Sequence, residues 1–254
     1  TYEIARAIND MGDGLQEAVE SLLKNERLKA ELITNVSHDL KTPLTSIVNY
    51  VDLLKKEQPE NEKMRQYIEI LDQKSQRLKQ LTEDLVEASR ISSGNVQLDM
   101  MRLPFKEILQ QACGEFSDRF EERHLQVKLR MEDGPMWIRA DGSQLWRVLE
   151  NLMSNVCKYA REGTDFDIRL QRNAGKKEIC LVMENETEHE LQIPQGNLTE
   201  RFVRGDTSRS TEGSGLGLSI ASSLTELMGG KLKVGSEGTH FTAEVTFPDE
   251  GEDK

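Results

Sequence analysis

The sequence predicts an α+β protein in which a long helical hairpin, forming a dimeric four-helix bundle, precedes an α/β two-layer sandwich. Two observations lead to this fold class. Apolar residues recur at alternating intervals of four and three along the first part of the chain, which is the period of bundle helices. Further along, short alternating segments typical of strands take turns with amphipathic helical segments.

Composition restricts the class of protein further. The chain has 254 residues, enough for two modest domains, and a net charge of −12, which disfavours electrostatic binding to nucleic acid. No run approaches the roughly 20 apolar residues of a membrane span. The chain begins without Met and inside an amphipathic pattern, so we expect a fragment of a longer protein. Its three cysteines are far apart and are expected to be reduced core residues.

The first hairpin helix is predicted from an apolar seam. Its members are Leu40, Leu44, Ile47, Val51 and Leu54. At roughly 100° per residue, His38 lies about 200° from Leu40, so its side chain is predicted to face away from the packed side. An earlier seam from Ile4 to Leu22 is out of phase with this one by one residue. The slip indicates either a segment that converts upstream rotation into a changed state at His38, or an ordinary stutter without a regulatory role.

The second hairpin helix follows an interruption at Pro59, since proline disfavours a helical residue before it. Its apolar positions recur at seven-residue intervals and are Met64, Leu71, Leu78 and Leu85. Two helices cannot cover their own apolar seams, whereas two hairpins can do so by forming a four-helix bundle. The pattern therefore predicts a homodimer.

The region after the hairpin predicts a mixed sheet covered by helices. Helices are expected at 105–123 and at 143–161, the second with Ser143 as its N-cap. Strands are expected at 125–131, 137–140, 166–170, 178–183, 231–234 and 239–247. Together these elements give a two-layer α/β sandwich.

A glycine-rich turn in this region is a candidate phosphate site. Gly213, Gly215 and Gly217 precede an apolar helix, so the backbone can approach an anion closely. The N–H groups and the dipole of the following helix favour negative charge at that point. Taken alone, the cluster fits a structural tight turn equally well.

A second candidate is a polar helix face. Asn151 and Asn155 lie four residues apart, with Lys158 one turn further along the same side. Amide oxygens suit Mg²⁺, a hard cation that is often bound beside substrate phosphates. An isolated Asn pair is usually an ordinary polar face, and it becomes a nucleotide-site candidate beside an anion-binding turn.

A third candidate is the segment Leu198–Asp206. Its Arg201 and Arg204 can neutralise the charge that develops on a phosphoryl group during transfer, and Phe202 can anchor the loop by packing. Without the other two elements, a solvated basic turn is the simpler interpretation.

These elements, in this order after a His-Asp hairpin, resemble the bacterial sensor histidine kinases. The matching segments are an H-box at Ser37–Leu44, an N-box at Asn151–Tyr159, an F-box at Glu200–Arg204 and a second glycine box at Gly213–Gly217. The resemblance implies five segments: a signalling coiled-coil helix similar to the end of a HAMP linker at 1–27, a dimerisation and histidine phosphotransfer hairpin at 28–94, a linker at 95–102, a catalytic ATP-binding domain at 103–248 and an acidic tail at 249–254.

The resemblance also implies a role for each motif residue. His38 is implied to be the autophosphorylated residue, Asp39 its polarising base, and Thr42 the residue that positions water against a phosphoaspartate. Asn155 is the implied Mg²⁺ ligand. The other implied nucleotide-binding or catalytic positions are Asn151, Lys158, Tyr159, Arg201, Phe202, Arg204, Gly213, Gly215, Leu216 and Gly217. The implied cofactors are ATP and Mg²⁺.

The implied partners are a second copy of the chain and the receiver domain of a response regulator. The expected location is the cytoplasmic portion of a bacterial inner-membrane protein that is anchored upstream. The function implied is autophosphorylation of His38 followed by transfer to a regulator aspartate, with dephosphorylation of the regulator as a second activity.

One motif departs from the family pattern. The family has an Asp-x-Gly-x-Gly sequence whose aspartate contacts the adenine amino group, whereas this chain has Glu184–His189 without either glycine. Glu184 and Asn185 are both candidates to replace that contact. The departure leaves an alternative function open, a phosphatase-dominant regulator with weak or regulatory nucleotide binding. A non-catalytic coiled-coil scaffold is a third interpretation.

Overall fold

The computed structural model describes residues 40–41, 43–57, 59, 61–92, 94, 96–173, 175–190 and 216–251. The chain divides into two compact units, Thr1–Val96 and Gln97–Lys254. The predicted fold class, a helical hairpin followed by an α/β sandwich, is confirmed. Within the described ranges, no helix is long and apolar enough to cross a bilayer.

The first unit contains two helices. In α1, residues 40–41 and 43–56 are helical, and α2 runs over Glu62–Ser92. The side chain of Asn61 begins α2, because its Oδ1 accepts hydrogen bonds from the backbone N–H groups of Lys63 at 3.0 Å and Met64 at 3.3 Å. Lys55 of α1 donates to Asp72 of α2 at 2.6 Å, which ties the two helices together.

Each hairpin helix carries two adjacent lines of residues where the sequence predicted one seam. The inner line is buried and includes Leu44, Val48, Val51 and Ile68. The outer line is apolar but exposed in the single chain, and consists of Leu40, Ile47, Leu54, Met64, Leu71 and Leu78. Only part of the predicted seam is therefore covered within the hairpin, because each helix of a bundle has more than one neighbour.

The second unit contains two sheets. Strands β1 (Met101–Pro104) and β3 (Trp137–Ala140) form an antiparallel pair. The larger sheet has the order β2-β4-β5-β7-β6. Its strands are β2 (Gln126–Met131), β4 (Asp165–Asn173), β5 (Glu178–Glu186), β6 (Lys231–Glu237) and β7 (His240–Pro248). Only the β2–β4 pair is parallel.

Helices cover one face of the larger sheet. They are α3 (Phe105–Glu115), α4 (Ser117–Glu122), α5 (Gly142–Tyr159) and α6 (Gly217–Leu227). Ring contacts join the layers, with Phe105 edge-on to Phe247 at 6.1 Å and Phe120 at 5.3 Å from Phe166. Residues on the helix side of the strands alternate with outward-facing ones, so the core lies between the helices and this face.

The structure differs from the predicted elements in three places. The helix expected over 105–123 is two helices separated at Phe116, where the Ser117 hydroxyl donates to the Gly114 carbonyl at 2.8 Å. Strand β1 begins inside the segment predicted to be a linker. The N-cap of α5 is Asp141, and Ser143 instead donates its backbone N–H and its hydroxyl to that carboxylate.

The residues after β7 are attached to the second unit, although the sequence suggested an acidic tail from 249. Asp249 pairs with Arg172 at 3.0 Å, and the Arg102 guanidinium donates to the Gly251 carbonyl at 2.6 Å. The Glu250 N–H donates to the Trp137 carbonyl at 3.0 Å. Residues 249–251 are therefore part of the fold.

Candidate nucleotide-binding site

Eight of the predicted site residues lie outside the described part of the chain. They are His38, Asp39, Thr42, Arg201, Phe202, Arg204, Gly213 and Gly215. The remaining predicted residues belong to the second unit, where α5, the start of α6 and the end of β5 position them.

Asp141 fixes the start of α5. Its Oδ1 accepts from the N–H groups of Ser143 at 2.9 Å and Gln144 at 3.1 Å, and its Oδ2 accepts from the Asp99 N–H at 2.8 Å. Burial favours the neutral acid, but the hydrogen bonds from the Ser143 hydroxyl and from these backbone groups outweigh it, so the pKa of Asp141 is lowered. The carboxylate therefore holds both α5 and the segment that leads into β1.

Asn151 and Gly217 meet where α5 packs against α6. The Asn151 Nδ2 donates to the Arg147 carbonyl at 2.9 Å, which orients the amide. A Cβ atom at Gly217 would lie 3.0 Å from the Asn151 Oδ1. The preceding Leu216 is buried, and the Ser219 hydroxyl donates to its carbonyl at 2.8 Å. The structure thus places two predicted motifs side by side.

Asn155 lies one turn beyond Asn151 on α5 and is half-buried. Its side chain forms no hydrogen bond with the described residues, so its amide oxygen is available as a ligand. A neutral oxygen donor of this kind suits Mg²⁺. Lys158 is exposed and Tyr159 half-buried at the end of the same helix.

The end of α5 is attached to the end of β5. The Arg161 N–H donates to the Glu186 carbonyl at 2.7 Å, and Ala160 forms a β-bridge with Thr187. The strand expected to end at 183 continues to Glu186, so Glu184 and Asn185 are strand residues. Their side chains consequently point to opposite faces of the sheet.

The strand register identifies these two faces. Asn185 is opposite Phe166 and Phe241, which are both buried, and Asn185 itself is only 5% exposed. Glu184 is opposite Asp167 and Thr242 on the outer face, where its carboxylate pairs with Arg169 at 2.7 Å. Asn185 therefore lies on the side of the sheet that carries α5 and α6, and Glu184 does not.

Two further polar groups near the end of β5 were not identified from the sequence. The Glu186 carbonyl oxygen accepts from the Asn185 Nδ2 at 3.1 Å as well as from Arg161. The buried Thr187 hydroxyl lies 2.8 Å from the His189 carbonyl oxygen and 3.0 Å from that of Thr239. The alternation of buried positions through 183, 185 and 187 was the available signal for both.

Family models match both units of the chain. The model described as "His Kinase A (phospho-acceptor) domain" matches residues 28–94. The model described as "Histidine kinase-, DNA gyrase B-, and HSP90-like ATPase" matches residues 140–250, which include all the described site residues.

Relatives match along nearly the whole chain. The sensor protein VanSC of Enterococcus gallinarum is 30% identical over 249 residues, which cover 97% of this chain and 68% of that protein. The sensor histidine kinase YcbM of Bacillus subtilis is 28% identical over 240 residues, covering 93% of this chain and 76% of that protein.

Two solved structures share the fold. Full-length ShkA in complex with AMPPNP has a TM-score of 0.73 at 23% identity over 88% of this chain, and the match spans 47% of the ShkA chain. The histidine kinase AdeS of Acinetobacter baumannii has a TM-score of 0.59 at 18% identity, covering 84% of this chain and 98% of AdeS.

Proposed function

The chain belongs to the sensor histidine kinases of two-component signal transduction, and we propose that it transfers the γ-phosphoryl group of Mg-ATP to its own His38. Nucleotide binding is supported most directly by the contact between α5 and α6, where the Asn151 amide lies against Gly217. This contact excludes a side chain at the start of α6, where backbone N–H groups and the helix dipole favour phosphate.

The second unit is an ATP-binding domain of the histidine kinase type. We propose that Asn151, Lys158 and Tyr159 of α5 line the nucleotide, together with Leu216 and Gly217 of α6. Asn155 is the proposed Mg²⁺ ligand, because its amide oxygen has no hydrogen-bond partner within the described residues. When bound, Mg²⁺ offsets negative charge on the phosphates.

The proposed phosphoryl transfer begins with a neutral His38. One imidazole nitrogen forms a bond to the γ-phosphorus as the bond to the β–γ bridging oxygen breaks and ADP leaves. Asp39 accepts a hydrogen bond from the other ring N–H, which fixes the tautomer and stabilises the positive charge that develops on the ring. Arg201 and Arg204 offset charge on the phosphates. These four roles rest on the sequence motifs.

The proposed acceptor in the second step is an aspartate on a response regulator receiver domain, and Thr42 is the proposed residue for the opposing dephosphorylation. Matches to sensor histidine kinases favour the kinase over the phosphatase-dominant alternative. Attachment to an upstream membrane anchor, the HAMP-like helix at 1–27 and the remaining domain boundaries stay predictions.

The protein is a homodimer, and the exposed outer line of the hairpin is its proposed interface. This line contains six large apolar residues of α1 and α2. A second hairpin presenting the same line completes a four-helix bundle and removes these side chains from water.

The test of the phosphorylation site uses γ-labelled ATP and Mg²⁺. We expect the unmodified chain to incorporate acid-labile label and His38→Gln to remain at background. His240→Gln is the matched control, because His240 is exposed on β7, and it should be labelled as the unmodified chain is. Label retained in His38→Gln would contradict the assignment.

A further inference from the structure

Asn185 is a buried polar side chain whose amide has a fixed orientation. Its Nδ2 donates to the Glu186 carbonyl oxygen at 3.1 Å, and that oxygen also accepts the Arg161 N–H at 2.7 Å. Rotating the amide by half a turn would place its Oδ1 against this carbonyl oxygen, where neither atom can donate a hydrogen bond. The Oδ1 atom is therefore held as an acceptor, and it has no donor among the described residues.

The surroundings of Asn185 place it beside the proposed nucleotide site. It lies on the helix side of the sheet, and the bond from Arg161 joins the end of α5 to the residue that follows it. The proposed nucleotide-lining residues Lys158 and Tyr159 are two and three positions before Arg161. A buried acceptor at this point faces a bound base with a requirement for a donor.

We propose that Asn185, oriented by the Glu186 carbonyl, determines the base specificity of the site by accepting a hydrogen bond from the 6-amino group of adenine. The proposal rests on the proposed function, in which ATP is the phosphoryl donor. It assigns the contact to Asn185 and excludes Glu184, whose carboxylate is on the other face and paired with Arg169.

The orientation of the amide is what gives selectivity. Adenine has a donor at position 6 and guanine has an acceptor there. A freely rotating amide matches either base, since it offers an acceptor on one side and a donor on the other. With the Nδ2 engaged by Glu186, only the acceptor faces the base, so guanine would meet two opposed oxygens.

A neutral amide also suits this position better than a carboxylate. Aspartate at 185 would retain an acceptor for adenine, but its second oxygen would replace the Nδ2 opposite the Glu186 carbonyl. Two buried acceptors would then face each other without a proton between them. Glu186 therefore makes the neutral side chain part of the recognition.

The first test compares nucleotides on the unmodified 254-residue chain. Binding of the Mg²⁺ complexes of ATP, GTP and purine riboside triphosphate, which lacks the 6-amino group, is measured by calorimetric titration. We expect affinity about tenfold lower for purine riboside triphosphate than for ATP, as one lost hydrogen bond to a buried acceptor predicts, and lower still for GTP. Equal affinity for ATP and purine riboside triphosphate would overturn the proposal.

The second test compares variants. Asn185→Leu should remove the difference between ATP and purine riboside triphosphate, whereas the control Glu184→Gln should keep it. Asn185→Asp should bind ATP less tightly than the unmodified chain. A tenfold preference that survives in Asn185→Leu, or tighter ATP binding by Asn185→Asp, would overturn the proposal.

Failure of this inference is distinguishable from failure of the proposed function. If the unmodified chain binds none of the three nucleotides, the proposed function itself is wrong, and this inference falls with it. If ATP is bound and His38 is phosphorylated but the preference does not depend on Asn185, only the base-specificity assignment is wrong. The nucleotide comparison needs no substitution, so it decides the matter even where Asn185→Leu fails to fold.

Discussion

Gly217 lies where the candidate site has no space for a side chain. The Asn151 Oδ1 is 3.0 Å from the position of an added Cβ atom, and the amide is held in place by its bond to the Arg147 carbonyl. The amide cannot retreat without weakening that bond. Glycine is thus required here by packing against Asn151, in addition to any approach of a phosphate.

Replacement of Gly217 by alanine should therefore weaken nucleotide binding. We expect Gly217→Ala to lower the affinity for Mg-ATP by about tenfold and the free energy of unfolding by about 1 to 3 kcal/mol, the usual cost of an extra methyl group in a packed site. Calorimetric titration and denaturant unfolding measure the two effects.

Gly114→Ala is the matched control, because a Cβ at that helical glycine meets no atom within 4 Å. Alanine should stabilise α3 there by up to about 1 kcal/mol and leave ATP affinity unchanged. If Gly217→Ala bound ATP as tightly as Gly114→Ala does, the packing argument would be wrong.

The choice between Glu184 and Asn185 shows what sequence reasoning lacks at this scale. Both residues follow a strand-like segment, and either offers an oxygen to an amino group. Adjacent strand residues face opposite sides, so the answer depends on where the strand ends. The pairing of Asn185 with Phe166 and Phe241 supplies that answer, and it involves residues distant in sequence.

At the scale of elements, Asp141 joins two parts of the second unit. One carboxylate oxygen caps α5, which carries Asn151 and Asn155, and the other accepts from the Asp99 N–H just before β1. The segment that enters the unit from the hairpin is thereby fixed to the helix that carries the nucleotide residues.

Removal of this carboxylate should destabilise the second unit. We expect Asp141→Ala to lower its free energy of unfolding by about 2 kcal/mol, from loss of the N-cap and of the Asp99 bond. Asp141→Asn keeps an oxygen for the cap but not for Asp99, so its loss should be about half as large. Tryptophan fluorescence reports on this unit alone, because Trp137 and Trp146 are the two tryptophans of the chain.

The same variants have a defined pH dependence. Hydrogen bonds to the charged form hold the pKa of Asp141 below its ordinary value of 3.8 in the folded state. Its contribution is therefore complete above that value and is lost as the pH falls through the lowered folded pKa. The stability difference between the unmodified chain and Asp141→Ala should be constant near neutral pH and shrink below about pH 4. A difference that grows on acidification would contradict this account.

Sequence patterns predicted the larger elements better than their ends. The strands and α5 were identified from periodicity, since each has one buried side. Strand β1 has only four residues and is defined by pairing with β3, some 35 residues away, which a local pattern does not contain. Asp141 and Ser143 are both good capping residues, and only the backbone conformation distinguishes them.

At the scale of the whole molecule, the two lines of the hairpin separate folding from assembly. The inner line is buried within one chain, and the outer line leaves large apolar side chains exposed. Heptad spacing predicted the apolar positions but could not divide them between the two lines, because both repeat with the same period. The division depends on which neighbour each helix meets.

A charge on the outer line should break the dimer without unfolding the hairpin. Leu71 and Ile70 are adjacent on α2 and each 52% exposed in the single chain, but only Leu71 belongs to the seven-residue repeat of Met64 and Leu78. We expect Leu71→Lys to raise the dimer dissociation constant by on the order of a hundredfold or more, because a two-fold interface loses two buried leucines. Ile70 lies about 100° away around the helix, so Ile70→Lys should change the constant by no more than about threefold. Sedimentation equilibrium measures both constants, with circular dichroism to verify the helices. A dimer that survives Leu71→Lys and dissociates in Ile70→Lys would place the interface on the other side of α2.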